Sequence, residues 1–290
     1  DMGTFLPLLV GLSAQCRLDL AASLFFAGLF NVITGLFFPF PLAVQPMKAI
    51  AAVALAEGLS ASQITAAGIM VSAVIFVLGL TRAIDALQRL VPRCVVRGLQ
   101  LALGLALLVK ALQMIAGTRV AFGADSYLTG GLAVLLVLLL IGSRRLPAAL
   151  VLFLIGLGLA IWKSPAGLSS LAVGLSWPHW TPPAWGDFVS AAGRAALPQI
   201  PLTALNSVVA VCALSQDLFP DRPAAPRDVA VSVGLMNLVS GWFGGLPMCH
   251  GAGGLAGQYR FGARTNGSVL FLGAAKLIVA VGFGATLMEL

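Results

Sequence analysis

The chain has 290 residues, of which 59% are hydrophobic and 9% are charged, and its formal net charge is +7. Soluble domains contain about 25% charged residues, so this composition excludes a soluble domain, a disordered chain and a disulfide-stapled secreted module. The apolar residues form long runs over the whole chain, which predicts an all-α polytopic membrane protein.

Eleven helical segments are predicted, and two of them are short. In chain order the segments are 4–14, 20–38, 47–58, 63–80, 95–116, 127–142, 146–162, 188–214, 229–243, 250–259 and 267–287. The short segments, at about 47–58 and about 250–259, are half-helices that follow breaks rich in proline or glycine. Three prolines exclude a regular helix in the first break, 39–46.

An internal repeat relates the two breaks. Residues 31–37 (NVITGLF) match residues 237–243 (NLVSGWF) at an offset of 206, and Pro41 matches Pro247 at the same offset. Seven membrane segments separate the copies, so the second copy is predicted to cross the bilayer in the opposite direction. Inverted repeats with broken helices are typical of secondary transporters.

The distribution of positive charge predicts the orientation in the membrane. No polar face could carry a basic stripe, so a nucleic-acid partner is excluded, and Lys and Arg in loops are interpreted as orientation signals. With the N-terminus inside, ten arginines lie on the cytoplasmic side and four basic residues on the outer side. The cytoplasmic set is Arg82, Arg89, Arg93, Arg97, Arg144, Arg145, Arg222, Arg227, Arg260 and Arg264, and the outer set is Arg17, Arg119, Lys163 and Arg194.

The N-termini of the two half-helices are predicted to form the functional site. Irregular backbone at membrane depth survives only where it is buried in protein or lines a wet cavity. Each helix N-terminus carries about half a positive charge and several unpaired N–H groups. Two such ends that face each other near the midplane would form an anion site.

The first half-helix opens with polar and charged residues, and these are candidate substrate ligands. Pro46 suits the first helical turn, Gln45 can donate through its amide, and Met47 follows them. Lys48 is a positive charge inside an apolar segment, which is functional by default. Its alternative interpretation is a side chain that snorkels to the interface.

The second half-helix opens with glycines, among which Gly251 and Gly253 are candidates for close approach to a ligand. Glycines also permit tight packing of membrane helices, and no Lys-Ser/Thr pair follows them to make a nucleotide loop. His250 could donate a hydrogen bond to the anion or take up a transported proton, and its alternative interpretation is a satisfied buried group.

The segment 188–214 carries three polar residues at helical spacing, Gln199, Thr203 and Asn206. Such a stripe can line a cavity or join helices. We favour the cavity for Gln199 and Thr203, and both alternatives stay open for Asn206. Thr4 is a further candidate at the matching position of the first segment. Asn31 and Asn237 are interpreted as structural.

Acidic residues are absent from the predicted midplane positions. Glu57, Asp85 and Asp217 are interpreted as near the surface, so a cation or nucleobase carrier is disfavoured and an oxygen-rich anion is favoured. The four cysteines are scattered without metal-ligand spacing, and no nucleophile–base pair is recognised. We therefore expect no enzyme, no catalytic or metal-ligating residue and no cofactor, with proton coupling through His250 left open.

Three segments resemble signatures of the molybdate transporter family, within the wider sulfate permease superfamily. They are PLAVQPMKAIAAV at 41–53, LPQIPLTALNSVVAVC at 197–212 and PMCHGAGGLAGQYRFGAR at 247–264. The resemblance implies high-affinity molybdate uptake and a fold of two inverted seven-segment repeats, in which a core moves against a gate as an elevator.

The resemblance divides the chain into three predicted parts. Residues 1–94 are first-repeat core helices, residues 95–165 are gate helices, and residues 186–290 are second-repeat core helices. The later gate helices have no counterpart in the sequence, so we interpret it as a fragment.

The predicted function is secondary active import of a tetrahedral oxyanion, above all molybdate, by alternating access. The alternatives are a sulfate or general oxyanion permease, and a membrane sensor that binds an oxyanion without transport. The expected partners are the oxyanion and membrane lipid, and a homodimer stays open. The expected location is an integral, multi-pass position in a membrane, which is the cell membrane if the source is bacterial.

Overall fold

The computed structural model of the protein describes residues 2–90, 92–117, 119–124, 126–140, 143, 148–163 and 173–288. Arg144, Arg145 and the predicted segment ends at 141–142 and 146–147 lie outside the described residues. The helices are α1 (Met2–Cys16), α2 (Leu20–Phe37), α3 (Lys48–Glu57), α4 (Ala61–Leu80), α5 (Ala83–Leu90), α6 (Arg93–Gly117), α7 (Tyr127–Leu140), α8 (Ala148–Lys163), α9 (Trp185–Leu218), α10 (Pro226–Ser240), α11 (Ala252–Arg260) and α12 (Gly267–Met288). The strands are β1 (Val44–Pro46) and β2 (Met248–His250).

Four helices in the described part of the chain are long and apolar enough to cross a membrane. They are α2, α4, α9 and the 267–284 part of α12. Large apolar side chains on them stay exposed, such as Phe37 at 80% and Phe271 at 78%, which is the surface that hydrocarbon would cover. The all-α membrane fold expected from the composition is confirmed.

Local signals explain where these helices begin and end. The Asp19 carboxylate accepts the Ala22 N–H at 2.9 Å and caps α2, while Ser60 and Gln63 form a capping box at the start of α4. Gly58 ends α3 with a φ of 65°, a conformation that glycine adopts without strain. The short helix α5 was not predicted, because its residues were interpreted as a charged loop.

The described chain forms two compact units. One comprises Asp1–Gln100, Val173–Tyr259 and Ala263–Leu290, and it contains both breaks. The other comprises Leu101–Ala172 and Arg260–Gly262. Inside this second unit the Tyr127 hydroxyl donates to the Ala116 carbonyl at 3.1 Å and joins α7 to α6.

Helix α2 packs closely against α12 through two glycines. A Cβ on Gly28 would lie 2.8 Å from the Leu277 nitrogen, and one on Gly35 would lie 2.7 Å from Leu270 Cδ2. Because neither position has room for a side chain, these glycines set the approach of the two helices.

Helix α10 packs against α4 in the corresponding way. A Cβ on Gly234 would lie 2.5 Å from Phe76 Cβ, and one on Gly241 would lie 2.5 Å from Ile69 Cγ1. The contacted residues are seven positions apart, as Leu270 and Leu277 are in α12. The matched glycines therefore make matched contacts in the two copies, as the predicted inverted repeat requires.

Candidate functional site

The two breaks meet as an antiparallel strand pair. Val44 lies opposite His250, Gln45 opposite Cys249, and Pro46 opposite Met248. All six residues are buried, so pairing satisfies backbone groups that could not reach water. Helix α3 begins two residues after β1 and α11 begins two residues after β2, so both half-helices start from this pair.

The asparagine contacts refine the correspondence within the breaks. Asn31 accepts the Val44 N–H and Asn237 accepts the Met248 N–H, so the strand positions differ by 204 residues, whereas the asparagines themselves differ by 206. The loop before β2 is therefore two residues shorter than the loop before β1. Both half-helices also begin slightly later than predicted, because Met47 is an extended N-cap residue and His250 belongs to a strand.

Asn31 and Asn237 bond the backbone of the two strands, which agrees with their interpretation as structural residues. Asn31 Oδ1 accepts the Val44 N–H at 3.0 Å. Asn237 Oδ1 accepts the Met248 N–H at 2.6 Å, and its Nδ2 donates to the Met248 carbonyl at 2.6 Å. Each asparagine thus fixes a break to the helix that precedes it.

Gln199 caps the N-terminus of the first half-helix. Its Oε1 accepts the N–H of Ala49 at 2.9 Å and of Ile50 at 3.2 Å, and its Nε2 donates to Thr203 Oγ1 at 2.8 Å. Ala49 and Ile50 are the second and third residues of α3, whose N–H groups lack intrahelical acceptors. The Gln199 carbonyl therefore occupies a position that an anion would take at this helix end.

The backbone of α9 is irregular on both sides of Gln199. Residues Ala192–Ala196 and Thr203–Val209 form π-helical turns, and Pro198 and Pro201 lie between them. Proline lacks an N–H and so weakens the helical hydrogen-bond ladder. Single π-turns of this kind are frequent at functional sites.

Gln45 lies over the N-terminus of the second half-helix. A Cβ on Gly254 would lie 2.7 Å from Gln45 Nε2, and a Cβ on Gly251 would overlap Gln45 Oε1. Gln45 is only 4% exposed, so neighbouring atoms hold its side chain in this position. The predicted Gly251 is therefore part of this surface together with Gly254, which was not predicted, whereas Gly253 is half-buried.

Lys48 is the first residue of α3 and is half-buried. Its ammonium group lies close enough to Cys249 for an electrostatic interaction, and the Cys249 thiol lies within hydrogen-bonding reach of Ser207. Lys48, Cys249 and Ser207 thus bring the first half-helix, β2 and α9 together. Thr203 and Ser207 are 0% and 1% exposed.

The predicted residue Asn206 is half-buried, whereas its neighbour Ser207 is buried. Sequence analysis assumed an α-helical stripe and so chose position 206. The π-turn over Thr203–Val209 has more residues per turn, and this rotates position 207 onto the buried face. Ser207 is four residues after Thr203, a spacing that could have suggested it.

The His250 ring is fully buried and held by two internal hydrogen bonds. Nε2 lies 2.9 Å from Ser232 Oγ, and Nδ1 lies 3.4 Å from the Ala43 carbonyl. A carbonyl only accepts, so we assign the proton to Nδ1 and let Nε2 accept from Ser232. In this arrangement both ring nitrogens are engaged inside the protein.

The remaining predicted residues have separate places. Met47 is 1% exposed and donates its N–H to the Pro247 carbonyl at 2.8 Å, and Pro46 ends β1. Thr4 lies in α1, and its side chain is outside the described part. Glu57 forms an exposed ion pair with Arg194 at 2.7 Å, in agreement with its predicted place near the surface.

Metal ligands do not cluster in the described ranges: no group of three or more His, Cys, Asp or Glu side chains there could hold a metal ion. The four cysteines are free thiols. Oriented backbone N–H groups, amide side chains and one lysine are therefore the chemistry that the breaks offer.

Two half-helices that start from one strand pair, in repeats of opposite direction, are typical of inverted-repeat secondary transporters. The fold resembles the transmembrane domain of a cyanobacterial bicarbonate transporter, BicA, with a TM-score of 0.58 and 17% identity over 98% of this chain and 83% of that one. At this identity the match concerns the fold alone.

The family is shown by sequence. Residues 1–107 and 191–290 match the family described as molybdate transporters of the MFS superfamily. Molybdate transporter 2 of Arabidopsis thaliana is 41% identical over the whole chain and 72% of its own length, and molybdate transporter 1 of Chlamydomonas reinhardtii is 32% identical over the whole chain and 77% of its length. The chain belongs to the molybdate transporter family.

The predicted membership, the multi-pass membrane location and the absence of an enzymatic role are thereby confirmed. The chain is an integral membrane protein of a transporter family.

Proposed function

We propose that the protein carries molybdate across the membrane by alternating access, with the oxyanion held between the N-termini of α3 and α11. Molybdate is a tetrahedral dianion whose four oxygens accept hydrogen bonds. Helix N-termini suit such a ligand, because they present the positive end of the helix dipole. Gln199 caps the Ala49 and Ile50 N–H groups of α3, so the α11 N-terminus would supply the backbone donors. The names of the two relatives support the choice of molybdate over other oxyanions.

The observation that carries this proposal is the buried strand pair, since both half-helices start from it and Lys48 is the first residue of α3. In the proposed site Lys48 supplies a positive charge, and the Gln45 amide and the α11 backbone near Gly251 hold the oxygens. Desolvated positive groups would compensate the cost of removing a dianion from water.

The test is equilibrium binding of molybdate to the purified chain, with excess sulfate as competitor. We expect tight molybdate binding that sulfate displaces weakly. Equal competition by sulfate would replace the proposal with a general oxyanion carrier. Absence of binding by a folded chain would contradict the proposed site.

Transport needs its own measurement, because binding without transport would describe a sensor. Uptake of molybdate into proteoliposomes that contain the chain, compared with empty liposomes, separates the two. We propose in addition that a proton moves with the anion and that His250 Nε2 accepts it, while the Ser232 hydroxyl rotates from donor to acceptor. A pH gradient across the liposome should then drive uptake, and a protonophore should abolish that stimulation; uptake indifferent to the gradient would contradict proton coupling.

A further inference from the structure

A groove of about 590 Å³ lies between α2 and α10, and its inner end reaches Ser232, which bonds His250 of β2. Its volume is within the range of about 300–1,000 Å³ that small-molecule sites occupy. One wall is formed by the end of α2 and residues 37–40, and the other by residues 222–225 and α10. None of the side chains proposed to hold the oxyanion lines this groove.

The apolar part of the groove opens to the surface that hydrocarbon covers. Ile33, Phe37, Leu235 and Val239 line it and are 38–80% exposed. They lie on membrane-crossing α2 and on α10, which packs against α4. Exposed apolar side chains at this depth contact lipid chains rather than water. The groove is thus shaped to receive an acyl chain from the side.

One end of the groove is positively charged and rich in donors. Arg222 lies there, next to the N-terminus of the 15-residue helix α10. The N-cap residue Ala225 has no side-chain acceptor, so the N–H groups of Arg227 and Asp228 remain for another partner. The Asp228 carboxylate also lines this end, which favours a ligand that presents one phosphate rather than a highly charged headgroup.

We propose that the groove binds a phospholipid, whose acyl chain lies along α2 and α10 and whose phosphate contacts Arg222 and the N-terminus of α10. Apolar walls and a basic, donor-rich end match the two halves of this ligand. Basic pockets between membrane helices bind lipid headgroups by the same chemistry. The proposal does not depend on the transported substrate.

Native mass spectrometry of the purified full chain tests the headgroup contact. The probes are dioleoyl phosphatidylglycerol and dioleoylglycerol, which share their acyl chains and differ in the phosphate. We expect phosphatidylglycerol to bind about fivefold more tightly, the effect of one arginine near a lipid headgroup. Arg222→Gln should remove this preference, whereas Arg227→Gln, a neighbour that does not line the groove, should retain it.

A second pair of variants tests the acyl chain. Val239→Trp would fill the groove, and Val279→Trp places the same bulk on an exposed position of α12 outside it. We expect Val239→Trp alone to lower binding of both lipids, with both variants unfolding at the wild-type temperature.

Equal binding of the two lipids by the wild type, or equal losses in Arg222→Gln and Arg227→Gln, would overturn the proposal. So would loss of a dimer in Val239→Trp with unchanged lipid binding, which would make this face a protein interface.

Discussion

The N-termini of α3 and α11 occupy equivalent places in the two repeats, but they are built from different chemistry. The start of α3 carries a charge, Lys48, and its N–H groups are capped by Gln199. The start of α11 carries no charge and presents Gly251 and Gly254 to Gln45. The repeat therefore supplies two similar helix ends that carry different side chains.

This difference suggests how a dianion would be held. Glycines let the Gln45 amide approach the N-terminus of α11 closely, and charge is available at α3. A symmetric site would place positive charge on both sides and bind any oxyanion strongly. The proposed asymmetric site would instead combine one charge with several directional donors, which favours a ligand of fixed size and shape.

The largest expected effect comes from closing the α11 side. Gly254→Leu would push its side chain into Gln45, so we expect molybdate binding to fall by about 100-fold or more, the equivalent of losing two charge-assisted hydrogen bonds. Gly257→Leu is the matched control, because nothing lies within 4 Å of a Cβ at that position in the same helix. Isothermal titration of both variants measures the difference, and equal affinities would remove α11 from the site.

Removing the charge on the α3 side should have the next largest effect. Lys48→Met keeps most of the apolar volume and loses the positive charge, so we expect about 30-fold weaker binding, or about 2 kcal/mol. Lys48→Arg keeps the charge and should bind more tightly than Lys48→Met. The same titration measures these variants and is repeated at higher ionic strength. A Lys48→Met variant that bound molybdate like the wild type would contradict this role.

A smaller effect is expected at the cap of α3. Gln199→Glu preserves an acceptor for Ala49 and Ile50 but adds a negative charge close to the anion, so binding should weaken by about tenfold. Gln199→Ala removes the cap and should lower the stability of the protein by about 1 kcal/mol. Thermal unfolding and titration of the two variants separate the contributions, and unchanged binding in Gln199→Glu would place the anion away from α3.

The breaks and half-helices could be predicted from the sequence because proline and glycine act locally. Pro46 and the glycines after His250 mark the ends of regular helix whatever surrounds them. The strand pair and the Gln199 cap could not be predicted, because they join residues about 150 or more positions apart and each leaves no local pattern. Gly254 was missed because a run of glycines does not indicate which of them meets a neighbour.

The buried face of α9 could be predicted from the sequence only in part. A polar stripe at helical spacing placed Gln199 and Thr203 on one face, and there the two buried side chains bond each other, while their cavity-lining role stays a prediction. The same rule chose Asn206 for the next turn, where a π-turn changes the spacing and Ser207 takes the buried place. Gln199, Thr203 and Ser207 share a four-residue spacing, whereas the three-residue step to Asn206 leaves the buried face in the wider turn. Such irregular turns tend to occur where a helix serves a site.

The smallest predicted effect distinguishes these two neighbours. Ser207→Ala removes the hydroxyl beside Cys249, so we expect molybdate binding to weaken by about threefold to fivefold, the equivalent of one neutral hydrogen bond in a network. Asn206→Ala should leave binding unchanged within twofold, because the half-buried side chain lies off the buried face. Titration of both variants under one set of conditions decides between them. A larger loss in Asn206→Ala than in Ser207→Ala would mean that α9 presents an α-helical face to the substrate and that its π-turn relaxes when the anion binds.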